Sequence, residues 1–263
     1  QTVFRFISQA DTLRFRVRDD GVITRVNDIA DVPAESDLCV RAARLLQQQT
    51  QCKLGADIEL DKKLPMGGGL GGGSSDAATV LLVLNKLWNT QLNRQELQAL
   101  GLQLGADVPV FLFGHNAFAE GVGEQLQAIT LPPAWYVVLQ PPVMVSTPLV
   151  FSAPELTRNT KTIKISDFSA VAHSFAAEVA FHNDLQQVAC AKYPEIAAQL
   201  AWLDEQVKKI NSRARMTGSG ACVFAQCATR DQAEKIFDAL PQSMQGFVAQ
   251  GLDKHPLLGL AER

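Results

Sequence analysis

The chain has 263 residues, 47% hydrophobic and 19% charged, the balance of an ordinary globular protein and not of a disordered or fibrous one. Lys and Arg number 24 against 27 Asp and Glu, so a net charge of -3 leaves no electrostatic footprint for nucleic acid or an anionic membrane. Five scattered cysteines with no Cys-x-x-Cys spacing argue against a disulfide framework or a zinc cluster, and for reduced thiols in a cytoplasmic protein.

Residues 3–7 and 13–17 read as short strands, the second alternating apolar and charged side chains as a half-buried strand does. The turn at 19–21 leads to a third strand at 22–26. Ser36 and Asp37 then cap a helix reaching about residue 49. A strand at 56–60 precedes the glycine-rich segment, and residues 77–88 form a helix that is apolar on nearly every side, hence buried. Its part at 77–84 is the longest apolar stretch, and it is far too short to span a bilayer. A helix over 93–103 follows, then a short apolar piece at 108–112 and a hairpin arm at 117–123. Pro132-Pro133 is the best boundary between two parts, because a strand at 135–139 starts a fresh unit. The second part carries a basic loop at 157–164, helical stretches over 168–208, a strand at 221–225, a helix at 231–240 and a strand at 247–251. The pattern is α+β in two parts. The chain opens on Gln1 inside strand-like sequence, with no Met, so its true start is expected to lie upstream.

Six of the eighteen glycines fall in the seven positions 67–73. Each loses more conformational freedom on folding than any other residue, so the cluster lowers local stability and needs a reason. A flexible linker would carry polar filler, whereas this tract runs straight into a buried helix. Glycine lets backbone N–H groups approach a ligand closely, and a helix N-terminus adds free donors and a positive dipole end, which together make a phosphate cradle. The tract ends Gly73-Ser74-Ser75 without the lysine of a Walker A loop. No strand directly precedes it, against a dinucleotide fold, and the protein-kinase set is absent.

The string Leu64-Pro65-Met66-Gly67-Gly68-Gly69-Leu70-Gly71-Gly72-Gly73-Ser74-Ser75 resembles the ATP loop of the GHMP kinases, Pro-x-Gly-x-Gly-Leu-Gly-x-Ser-Ser, with one extra glycine after Leu70. The strings at 104–111, 117–124 and 216–224 resemble further family segments in the family's order, over nearly the whole chain. The resemblance implies a two-domain α+β fold. Residues 1–131 would form the ATP-binding part, like ribosomal protein S5 domain 2, and 132–263 a ferredoxin-like, substrate-side part. It implies ATP phosphates over Pro65, Met66, Gly67, Gly68, Gly69, Leu70, Gly71, Gly72, Gly73, Ser74 and Ser75, with Lys62 near the nucleotide.

In Gly105-Ala106-Asp107-Val108-Pro109, Asp107 aligns with the family's catalytic aspartate, although from local sequence a helix cap explains it as well. Gly105 and Ala106, Thr147, Pro148 and Phe151, and the turn Gly218-Ser219-Gly220 would line the acceptor site. By resemblance the acceptor is a cytidyl sugar alcohol on the non-mevalonate isoprenoid route, phosphorylated by ATP with Mg²⁺. Homoserine or sugar phosphorylation, or nucleotide binding without catalysis, are the alternatives. Asp37 stands where relatives often carry asparagine near adenine, and capping accounts for it equally. Mg²⁺ ligands stay unassigned, with Ser75 and Asp76 as the available oxygens. The histidines His115, His173, His182 and His255 show no metal-site spacing. The family's opening strand, with Pro-Ala-Lys-Leu-Asn and a Gly-Tyr-His segment, has no counterpart in the sequence, so those residues are expected upstream of Gln1.

Overall fold

The computed structural model describes residues 1–30, 32–171 and 182–261. Eleven strands, β1 (Thr2–Phe4), β2 (Phe6–Ile7), β3 (Thr12–Arg18), β4 (Ile23–Arg25), β5 (Gly55–Asp61), β6 (Ala117–Glu120), β7 (Gln125–Ala128), β8 (Trp135–Leu139), β9 (Arg215–Met216), β10 (Val223–Cys227) and β11 (Gly246–Leu252), are found among the described residues. They make three sheets, in the orders β1-β6-β7, β3-β5-β4 and β2-β11-β8-β10-β9. The helices are α1 (Leu38–Thr50), α2 (Gly72–Leu87), α3 (Arg94–Leu104), α4 (Val108–Phe113), α5 (Thr147–Phe151), α6 (Ile165–Val171), α7 (Asp184–Lys192), α8 (Pro194–Val207) and α9 (Arg230–Asp238). None of them is long and apolar enough to cross a membrane.

The two largest cores among the described residues follow from the apolar patterning. In the front part, α1, α2, α3 and α4 pack on β5 around Leu46, Ile58, Leu81, Leu84, Leu97 and Leu112, all fully buried. Helix α2 lies at the centre of this core, as its unbroken apolar run requires. On β3, Leu13 and Phe15 pack inward, while Arg14 and Arg16 lie in register with Glu59 and Asp57 of β5 and pair with them on the outer face. In the back part, α7, α8 and α9 cover one side of the five-stranded sheet through Val137, Leu139, Ile196, Leu203, Val223 and Ala233. None of the five cysteines forms a disulfide.

Several elements differ from their expected form. The run 3–7 is broken at Arg5 into β1 and β2, which join different sheets. Phe6 pairs with Leu252 of β11, so the front of the chain contributes a strand to the back sheet. The apolar piece at 108–112 is the helix α4, with Pro109 in its first turn, where a missing N–H costs nothing. Helix α2 starts at Gly72, inside the glycine tract, because glycine's poor propensity is overridden where the ends of a buried helix are fixed by packing. The strand expected at 221–225 runs over 223–227 instead, since the N–H groups of Ala221 and Cys222 are spent on the glycine loop. Part of the helical stretch expected over 168–208, and His173, lie outside the described residues.

Candidate active site

Gly67, Gly69 and Gly71 alternate through the left-handed region, at φ of 65°, 70° and 69°. L-residues with side chains avoid that region, so the glycines are what allow the chain its repeated tight turning ahead of α2, the backbone pattern from which anion-binding N–H nests are built. Gly71 is the residue before the helix, and the N–H groups of its first turn have no intrahelical acceptors. A second turn closes on this loop from the back of the chain. Ala221 N donates to Gly67 O (3.2 Å), Cys222 N to Gly68 O (3.1 Å) and Thr217 Oγ1 to Gly69 O (2.9 Å). The approach is backbone on backbone: a Cβ on Gly69 would lie 2.3 Å from Thr217 O, and one on Gly218 would lie 3.0 Å from Gly69 O. The two glycine segments therefore form one unit, with Gly218, Ser219 and Gly220 beside the loop. Cys222 beneath it is fully buried, and burial pushes its thiol up to about 12, so it is inert.

Lys62 sits at the loop's entry, half-buried between two carboxylates, donating to Asp11 Oδ2 (2.5 Å) and Asp76 Oδ2 (3.0 Å). Burial alone would lower its pKa, but the two carboxylates outweigh that and raise it, so the ammonium stays charged. Asp76 is pushed up to about 7, by burial first and with Asp11 adding to it against the pull of Lys62. Beside this entry lies an open, polar cleft of about 560 Å³ whose walls include Asn27, Ile29, Glu59, Lys62, Leu64 and Met66. Asp37 caps α1 by accepting from Cys39 N (2.7 Å) and pairs with the buried Arg25 (2.7 Å), which is its capping role.

Asp107 stands at the head of α4 but makes no capping hydrogen bond, and its carboxylate has no hydrogen-bond or ion-pair partner among the described residues. It reaches solvent, while the protein packed around it raises its pKa above the ordinary carboxylate value by partial desolvation. The aspartate is thus held open and basic. One helical turn on, about 6 Å along the axis, the Phe111 ring lies against the loop, 3.0 Å from where a Cβ on Gly71 would be. Gly105 and Ala106 precede Asp107, and the turn at 121–123 packs on Ala106 O through Gly123.

On the far side, Thr147 Oγ1 and Ser219 Oγ share a 2.7 Å hydrogen bond, joining two expected acceptor-site residues that are 72 positions apart in the chain. Thr147 and Pro148 open α5, and Phe151 ends it with its ring half exposed. Exposed Met144 reaches back to Gly67. Two residues that sequence reasoning missed organise this region. Asn183 donates through Nδ2 to Met216 O (3.0 Å) and Gly218 O (2.7 Å), while its Oδ1 caps α7 at Leu185 N (2.9 Å). Arg158, from the basic loop, donates to the carbonyls of Phe151 and Ala153 at the end of α5. A cap signature at Asn183-Asp184 was readable in the sequence; its second role, across 33 and 35 positions, was not. Among the described residues no cluster of three His, Cys, Asp or Glu side chains could hold a metal ion, and Asp76 is turned to Lys62.

Two family models match the chain, the GHMP kinases N terminal domain over residues 37–115 and the GHMP kinases C terminal over 164–246. A protein of Thiobacillus denitrificans named 4-diphosphocytidyl-2-C-methyl-D-erythritol kinase is 59% identical over 98% of this chain and 88% of its own length. One of the same name from Aromatoleum aromaticum is 56% identical, over 98% and 87%. A crystal structure of 4-(cytidine 5'-diphospho)-2C-methyl-D-erythritol kinase superposes with a TM-score of 0.78 at 32% identity, covering 95% of this chain and 88% of that one. Homoserine kinase from Cytophaga hutchinsonii shares the fold, at a TM-score of 0.65 and 16% identity, over 95% and 88%.

Proposed function

The chain belongs to the GHMP kinase family, and from that premise we infer that it phosphorylates the 2-hydroxyl of 4-diphosphocytidyl-2-C-methyl-D-erythritol with ATP, in isoprenoid precursor synthesis. Relatives at 52–59% identity over nearly the full chain carry that name, which supports this acceptor above homoserine or a free sugar.

Phosphoryl transfer asks a protein for positioning and for charge stabilisation, with little covalent help. The alternating glycines at 67, 69 and 71 and the head of α2 offer N–H donors to the phosphates of ATP. The cleft beside Lys62 has room for the rest of the nucleotide. The acceptor hydroxyl oxygen attacks the γ-phosphorus, the bond to the β–γ bridging oxygen breaks, and ADP leaves. The hydroxyl proton passes to the Asp107 carboxylate. The observation that carries this assignment is that Asp107 is neither capping nor paired among the described residues, though it stands where a cap would stand, one turn from the ring that buttresses the cradle. Phe151 presents an aromatic face suited to a pyrimidine, with Thr147 and Ser219 as hydroxyl partners and the backbone of 105–106 as the wall beside Asp107. Mg²⁺ is expected with ATP and would be held largely by the phosphate oxygens, since the Asp76 carboxylate is engaged by Lys62. When bound, it neutralises charge developing on those oxygens. We assign nucleotide binding to residues 1–131 and the acceptor side to 132–263, in a cytoplasmic enzyme.

A coupled assay of ADP release across the cytidyl alcohol, homoserine and galactose tests the reading. Turnover with the first alone is expected. Turnover with another alcohol alone selects a different GHMP kinase activity, and nucleotide binding without transfer to any alcohol overturns catalysis.

A further inference from the structure

The glycine cradle is held at both ends by one network of charged groups whose two carboxylates are buried. Asp11, just ahead of β3, has a side chain only 1% exposed. Its Oδ1 accepts from the backbone N–H of Lys63 (2.6 Å) and Leu64 (2.8 Å), the residues that lead into the loop. Its Oδ2 accepts from Lys62 Nζ, and Lys62 donates onward to Asp76 inside α2, where the loop ends. Asp76 lies four residues after Gly72, on the same helix face. A Cβ on Gly72 would meet Lys62 Nζ at 3.1 Å, Leu64 Cβ at 3.3 Å and Asp11 Oδ2 at 3.4 Å, so the first residue of the helix is seated on the network itself.

We propose that Asp11 is a positioning residue for the nucleotide: through Lys62 and the backbone of 63–64, with Asp76 as the second anchor, it fixes the spacing of the two ends of the ATP loop. The proposal rests on the reading of that loop as the phosphate site. Two carboxyl groups face one ammonium next to a site for a polyanion, and even with Asp76 near its midpoint at neutral pH the balance is weakly negative and offers ATP no attraction. By Coulomb's law alone the network opposes ATP. Its contribution is therefore geometric, and geometry and charge predict opposite signs on removing a carboxylate charge. Asp11→Asn keeps an oxygen for the backbone donors but turns an amide NH₂ toward the Lys62 ammonium, donor against donor, so the tie to α2 is lost.

The test is ADP affinity by titration calorimetry, with KM for ATP and for the cytidyl alcohol measured alongside. Asp11→Asn is expected to weaken ADP and raise the KM for ATP by about tenfold or more, with KM for the alcohol within about twofold. Asp76→Asn, whose amide oxygen still accepts from Lys62, is expected to weaken ADP about threefold, and it serves if the Asp11 variant does not fold. Asp57→Asn removes a buried partner of Arg16 and Arg18 on the outer face of the same sheet, and it controls for loss of an ion pair as such, with unchanged ADP affinity. Unchanged or tighter ADP binding in Asp11→Asn, or in Asp76→Asn where that variant stands in for it, overturns the proposal, as does equal weakening in Asp57→Asn. Wild-type protein that binds ADP but transfers no phosphate would defeat the kinase reading alone, the affinities still deciding the role of Asp11. Wild-type protein that binds no ADP would defeat both.

Discussion

Replacing Gly69 by alanine perturbs the contact on which the cradle depends. The residue sits at φ 70°, where a side chain costs about 1–2 kcal/mol. The added Cβ would also fall 2.3 Å from Thr217 O and 2.9 Å from Gly220 O. Both neighbours are backbone atoms, so relief requires the two glycine segments to part. Parting them strains the three hydrogen bonds that join them, from Ala221 N, Cys222 N and Thr217 Oγ1, each worth about 1 kcal/mol net. The sum is about 4–5 kcal/mol, divided between global stability and the geometry of the loop. If half of it falls on the loop, kcat/KM for ATP drops about thirtyfold to sixtyfold, at 1.4 kcal/mol per decade. Gly73→Ala is the contrasting variant. Its Cβ would meet only Leu38 Cδ1 at 3.5 Å, an ordinary contact, and alanine is favoured over glycine in a helix by about 1 kcal/mol. Denaturant unfolding of the ligand-free protein and steady-state kinetics with varied ATP measure both quantities. Gly69→Ala as stable and as active as wild type would refute the packing of the two turns and the role built on it.

Phe151→Ala should leave stability within about 0.5 kcal/mol, since the ring is half exposed. It should raise KM for the cytidyl alcohol about tenfold, the worth of one base stack, with KM for ATP unchanged in the same assay. Asn183→Asp keeps the cap on α7 but sets a carboxylate against the carbonyls of Met216 and Gly218. It should cost about 1–3 kcal/mol in denaturant unfolding and lower kcat/KM through the displaced second turn. The pH dependence of kcat/KM should show an acidic limb set by Asp107. A base works deprotonated, and the aspartate's pKa is raised, so activity should be lost as pH falls through a value above the ordinary carboxylate range. A limb at or below pH 3.8 would contradict that.

The glycine tract and α2 were legible because composition and hydrophobic patterning are local signals. The start of α2 was not, since glycine reads as loop wherever tertiary contacts do not speak for it, and here Lys62, Leu64 and Asp11 seat Gly72. Asp107 shows the limit of local reading in the other direction. A residue between glycine and Val-Pro has the grammar of a cap, and only the absent hydrogen bond distinguishes an open carboxylate from a spent one. The second role of Asn183 and the role of Asp11 were invisible for another reason. One grips carbonyls 33 and 35 positions away and the other a lysine 51 away, and no periodicity encodes such pairs. The same holds for Phe6 in the back sheet: nothing in residues 3–7 tells which strand it will pair. Asp37 was legible as a cap, but its buried partner Arg25 was not.

The most direct test measures Asp107→Asn beside wild type, following γ-phosphoryl transfer from ATP to the cytidyl alcohol by phosphorus NMR and ADP affinity by calorimetry on the same samples. The amide cannot take the hydroxyl proton, and loss of a general base costs about 10²–10⁴ in rate. Wild type should form a new phosphomonoester on the alcohol, and the variant should transfer at least about a hundredfold more slowly while binding ADP within about twofold of wild type. Transfer at the wild-type rate with asparagine at position 107, or no phosphomonoester from wild type, would contradict the account.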